Sequence, residues 1–92
     1  MNKNATLDVQ GLKSRALQAY KSKNFALSAT YFEAAYELDK NDVESLINLG
    51  VALKNSGRLD QAITKFKEAL QLKPEDAIAW YNLGNTYLSC NK

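Results

Sequence analysis

Small and large apolar residues recur along this chain at one fixed interval. Leu46, Leu49, Gly50 and Leu53 reappear 34 positions later as Trp80, Leu83, Gly84 and Tyr87. Ala62, Phe66 and Ala69 have Ser28, Phe32 and Ala35 the same 34 positions before them. Within each stretch the apolar positions fall three and four apart, the spacing of one helical face. A repeat of this length predicts a stack of like helical units, each burying a face against the next. Five helices are predicted, over about 7–22, 25–38, 43–56, 59–72 and 76–89.

Polar and breaking residues mark the ends of these segments. Asn24 is the expected N-cap of the second helix. Asn41, with Glu44 three residues on, has the form of a capping box for the third. Gly57 suits the position after the last turn of that helix, and Pro74 stops the fourth. Lys65 and Lys67 lie in the C-terminal half of the fourth helix, and Glu75 and Asp76 open the fifth; both placements suit the helix dipole. Residues 1–6 read as a polar lead. Short polar connections imply antiparallel neighbours, so the expected class is all-α, without linker or second domain.

These residues and their spacing resemble the tetratricopeptide repeat (TPR), a helix–turn–helix unit of this period. The resemblance covers about residues 9–92, and is closest in the second unit and in Trp80-Tyr81-Asn82-Leu83-Gly84-Asn85. It implies one domain over 1–92, a right-handed superhelical α-solenoid of antiparallel helix pairs. Its units would be 9–42, 43–76 and the leading helix of a third, 77–92. It also implies that Ala16, Gly50 and Gly84 lie where paired helices approach closely, facing Ser28 and Ala62. Glycine inside a helix costs about 1 kcal/mol relative to alanine, so a packing gain is expected at Gly50 and Gly84. Arg15 replaces the leucine found at Leu49 and Leu83, Ser28 an alanine, and Lys40 the proline at Pro74. A polar Arg15 suits the outer face of a first unit.

Composition narrows the function classes. The 92 residues carry 12 basic and 10 acidic side chains, net +2, too slight a balance to point to nucleic acid or an anionic membrane. One cysteine and no histidine rule out an internal disulfide and a Cys/His zinc site. Cys90 reads as a buried or half-buried thiol. No apolar run suggests a secretory leader or membrane span, which makes the cytoplasm the default location. Catalysis lacks its commonest general base. No phosphate loop or metal-spaced cluster is visible, and Glu33 and Glu37 read as solvated acids. The expectation is a non-enzyme without cofactor or metal.

In the resembled family the first helix of each unit lines a concave, peptide-holding groove. By position that lining comprises Lys13, Leu17, Tyr20 and Lys21 from the first helix, and Ile47, Asn48, Val51, Lys54 and Asn55 from the third. The last helix adds Tyr81, Asn82 and Asn85. Asparagine amides can pair with a peptide main chain, and lysines favour an acidic segment or a free C-terminal carboxylate. Lys13 and Asn48 match two places of the family's carboxylate clamp. Leu17, Ile78 and Asn82 depart from it. The expected partner is therefore a protein or peptide.

Two alternatives stay open. The last helix has no charge between Asp76 and Lys92, so Ile78, Trp80, Tyr87 and Leu88 form a candidate homo-oligomer interface. The chain could instead be the N-terminal fragment of a longer TPR scaffold. For the fold itself, Phe66→Ala should cost about 3–5 kcal/mol, read as a lower urea midpoint.

Overall fold

A computed structural model describes residues 8–90. The chain forms five helices, α1 Val9–Lys21, α2 Phe25–Leu38, α3 Val43–Asn55, α4 Leu59–Leu72 and α5 Ala77–Cys90. These match the predicted segments to within two residues, except that Leu7 and the polar lead lie outside the described residues. Consecutive helices pack on one another, and α3 also touches α5, the pattern of stacked hairpins. No helix among the described residues is long and apolar enough to cross a membrane.

The leading helices share one N-terminal device. Asp8, Asp42 and Asp76, spaced 34 apart, each accept a backbone N–H three residues on, from Gly11 (2.8 Å), Ser45 (3.3 Å) and Ala79 (3.1 Å). The α3 cap is thus Asp42, not Asn41. Asn41 instead donates its own N–H to the Asp39 carboxylate at 3.1 Å. A carboxylate both caps and complements the dipole, and Asp42 keeps the repeat register. Asn24 caps α2 as expected, accepting from Leu27 N–H at 3.3 Å, whereas Arg58 before α4 makes no side-chain cap.

The turns within the two hairpins are also copies of each other. After α3, Arg58 N–H donates to Leu53 carbonyl (2.9 Å) and Gly57 N–H to Lys54 carbonyl (3.0 Å), with Gly57 at φ +87°. After α1, Asn24 donates to Ala19 (2.8 Å) and Lys23 to Tyr20 (2.9 Å), with Lys23 at φ +63°. Both are Schellman ends, which need one left-handed residue. At Lys23 the first unit uses a residue with a Cβ there, at some steric cost.

Phe32 and Phe66 are fully buried among Leu46, Leu49, Ala62 and Ala69, as the repeat pattern requires. In the first hairpin Ser28 Oγ donates to the Ala16 carbonyl at 2.9 Å, so the facing small residues meet and the buried hydroxyl is satisfied. In the second, a Cβ built on Gly50 would lie 2.6 Å from a Phe66 ring carbon. Hydrogen alone fits there. Gly84 departs from expectation: nothing lies within 4 Å of its Cβ position, because no described helix packs on that side of α5. Cys90, the last residue of α5, is exposed rather than buried. Arg15 is exposed, as a polar outer face would have it.

Gly50→Ala and Gly84→Ala should therefore move stability in opposite directions. At Gly50 an overpacking cost of about 1–3 kcal/mol exceeds the helix-propensity gain of about 1 kcal/mol. At Gly84 only the gain remains. Thermal and urea melts of the two variants check the signs.

Candidate binding groove

Two hollows are lined largely by residues of the leading helices α1, α3 and α5. One, of about 220 Å³, is lined by Leu17 and Tyr20 of α1, Asn48 and Val51 of α3, and Phe32. The other, of about 290 Å³, is lined by Val43, Glu44, Ile47 and Asn48 of α3, Ile78 of α5, and Lys73 and Asp76 of the preceding loop. Asn48 stands between them and contributes to both.

The groove's polar groups divide into those already engaged and those available. Asn55 donates its amide to the Tyr20 hydroxyl at 2.6 Å, tying the last turns of α1 and α3 together, and Tyr20 also meets Phe25 edge-on at 5.0 Å. Asn82 donates back to the Ile78 carbonyl at 2.9 Å. Asn48 has no such partner among the described residues, nor has Asn85. Lys21 and Lys54 make no ion pair among the described residues. Tyr81 projects into solvent, 70% exposed.

Lys13 is placed differently from what its type suggested. Its Nζ lies 2.7 Å from Glu44 Oε1 and 3.1 Å from Asp42 Oδ2, and only 13% of its side chain is exposed. It is a strut from α1 to the start of α3 rather than a cation awaiting a ligand. Ile47, also expected as a contact, is buried and forms floor. Ile78, Trp80, Tyr87 and Leu88 do not make one patch: Ile78 lines the second hollow, and it projects about 160° round the helix from Trp80. Phe32 of α2 and Lys73 and Asp76 of the α4–α5 loop join the linings from outside the leading helices, where the repeat spacing gives no sign of them. The cap position of Asp76 was the available signal.

A further hollow of about 310 Å³ lies between α2 and α4, with Leu49 and Leu53 in its lining. Its rim mixes Glu33 with Arg58 and Lys65. Thr30 and Thr64 turn their hydroxyls back to the carbonyls of Ala26 and Asp60, and Lys65 pairs with Glu68. Glu33, Arg58 and Gln61 of this lining make no side-chain hydrogen bond or ion pair among the described residues.

The Lys13–Asp42 strut titrates at both ends. Partial burial pushes the Asp42 carboxyl up, but the Ser45 hydroxyl, the Lys13 ammonium and the Ser45 backbone N–H outweigh it, and its pKa falls below the ordinary value. Partial burial pulls Lys13 down, but hydrogen bonds and charge from Glu44 and Asp42 outweigh it, and its pKa rises. The Asp42 contribution is present above the ordinary carboxyl value, about 3.9, and is lost as pH falls through the depressed one. The Lys13 contribution is present below about 10.4 and is lost as pH rises through the raised value. Asp42→Asn should lower stability at neutral pH by about 1–2 kcal/mol and flatten the acid limb of the stability curve. Urea midpoints from pH 2 to 7 check this; an unchanged acid limb would refute it.

Residues 55–89 match a family model described as TPR repeat, and residues 31–64 one described as Tetratricopeptide repeat. The chain is 35% identical over 82 residues to the Peroxisomal targeting signal receptor of Saccharomyces cerevisiae, an alignment covering 89% of this chain and 13% of the receptor. Among solved structures it superposes on YrrB, described as a TPR protein with an unusual peptide-binding site. That match has a TM-score of 0.88 and 29% identity, over 94% of this chain and 44% of YrrB. The first TPR of Spaghetti (RPAP3), bound to an HSP90 peptide, shares the fold at a TM-score of 0.85 and 19% identity, over 92% of this chain and 68% of that one. The chain spans between 4% and 13% of the length of the curated relatives it matches. With the 34-residue register, the Gly50–Phe66 contact and two matching family models, the chain belongs to the tetratricopeptide repeat family.

Proposed function

We propose that this chain is a protein–protein interaction module whose concave groove holds an extended peptide segment, without catalysis. The observation that carries this reading is the pair of hollows sharing Asn48. An extended segment points every second side chain the same way, so two apolar side chains can enter the hollows while the Asn48 amide pairs with the main chain between them. The half-buried Asn85 of α5 extends the amide row, and the exposed Tyr81 offers rigid contact area. The likeness to YrrB, whose description names a peptide-binding site, supports the same reading.

Lys21 and Lys54 bias the groove toward an acidic segment or a free carboxylate, since Lys13 is held by Asp42 and Glu44. Without Lys13, the expected carboxylate clamp keeps only Asn48. A displayed peptide library panned on the intact chain supplies probes for titration. Asn48→Ala should weaken the selected peptides about tenfold, equivalent to about 1.4 kcal/mol. Lys21→Glu with Lys54→Glu should weaken acidic ones by more. Peptides that bind wild type and Asn48→Ala equally would overturn the groove assignment.

A further inference from the structure

The hollow between α2 and α4 plays no part in the groove and shares no lining residue with its two hollows. Its walls are the second helices of the two hairpins, and its floor is α3, through the buried Leu49 and Leu53. At about 310 Å³ it lies at the lower end of the range for ligand pockets. A matching hollow of about 290 Å³ lies 34 positions earlier in the chain, where Asn24, Leu27 and Tyr31 stand for Arg58, Gln61 and Lys65. The repeat therefore makes the hollow, and the side chains decide its chemistry. Asn24 and Arg58 have nearly the same backbone angles, φ −90° with ψ 76° and φ −92° with ψ 70°. Asn24 caps its helix; Arg58 does not, and it brings a cation to the positive end of the α4 dipole. A residue that forgoes a local preference without a gain inside the fold marks a place to look for binding. Here it leaves a guanidinium on the rim of the hollow, without an ion pair among the described residues.

The charges are ordered along the hollow. α2 and α4 are each the second helix of a hairpin, so they run in the same direction. Glu33 holds the repeat place of Lys67, nine positions beyond Arg58, which at the helical rise is about 13 Å. An extended chain covers that span in about four residues, and its alternate side chains point the same way. We propose that this hollow is a second binding site, taking an extended segment of a partner protein: an acidic residue, an apolar residue two later, and a basic residue two after that. The carboxylate meets the Arg58 guanidinium and the Gln61 amide, and the basic group reaches Glu33. Between them the apolar side chain lies over Leu53, flanked by Thr30 and Thr64, whose hydroxyls are already bonded back to their own helices. Lys65 is held by Glu68 at 3.5 Å. A uniformly acidic segment is disfavoured, because Glu33 would face a like charge. No stretch of this chain has the acidic–apolar–basic pattern in either direction, so a second copy does not supply it.

The test titrates two capped peptides, Asp-Ser-Leu-Ser-Lys and its neutral counterpart Asn-Ser-Leu-Ser-Gln, into the intact, isotope-labelled chain and follows the binding by NMR. Saturable shifts of the Arg58 Nε–H and the Gln61 side-chain amide are expected with the charged peptide, and binding of the neutral one should be about tenfold weaker. Arg58→Asn should weaken the charged peptide about fivefold. The same substitution should raise the thermal midpoint, because asparagine in that backbone conformation caps the helix. Opposite signs separate lost recognition from lost fold. Glu33→Gln should also weaken the charged peptide, whereas Asn48→Ala should leave it unchanged while weakening peptides selected for the groove, so the two sites succeed or fail separately. The proposal is overturned by no saturable shift at millimolar peptide, by equal binding of the two peptides, by shifts centred on Asn48, or by binding indifferent to Arg58→Asn.

Discussion

The approach of a phenyl ring to a bare helix backbone is the contact on which this architecture depends. Phe66 lies so close to Gly50 that no larger residue fits without a shift. That closeness lets Leu46 and Leu49 reach full burial at the same time. α3 consequently carries the longest run of buried positions, from Ser45 to Leu53 with gaps only at Asn48 and Val51. Those two gaps face the groove. The same tight packing that stabilises the stack leaves Asn48 and Val51 as the half-buried positions within that run of α3.

Local capping has a comparable reach. Asp42 ends the loop, accepts from Ser45 and holds Lys13 from the neighbouring helix. One carboxylate therefore caps α3 and ties Lys13 of α1 to the start of that helix. Buried or half-buried charges are retained when paired and hydrogen-bonded, and this one is both. Among the described residues Lys13 is thus engaged by the scaffold, while Lys21 and Lys54 make no ion pair.

Most of the fold was legible because its causes are local or periodic. Helical spacing located all five elements, Gly57 and Asn24 announced their roles, and the identical interval between Phe32 and Phe66 gave the core. Less was legible where the outcome depends on a neighbour. Gly84 looks the same as Gly50 in sequence, and only the absence of a described helix over it separates them. Lys13 looks like a ligand contact until Asp42 and Glu44 are seen within reach. Asn41 and Asp42 are both good caps by type, and the choice fell to the 34-residue register shared with Asp8 and Asp76. Leu17, Tyr20, Asn48 and Val51, all expected on the leading helices, line one hollow together with Phe32. The groove's floor and loop wall come from elements that the periodicity assigns elsewhere.

The bond from Trp80 to the Pro74 carbonyl has a practical consequence for optical measurements. Trp80 is the chain's only tryptophan, and it sits half-exposed on α5, folded against the loop that leads into it. Its emission therefore monitors how α5 seats on α4, while far-ultraviolet ellipticity averages over all five helices. The two signals sample different parts of an elongated body measuring 51 × 27 × 16 Å. Fraying that begins at α5 would separate the two traces, making the indole a built-in gauge of how the fifth helix is seated.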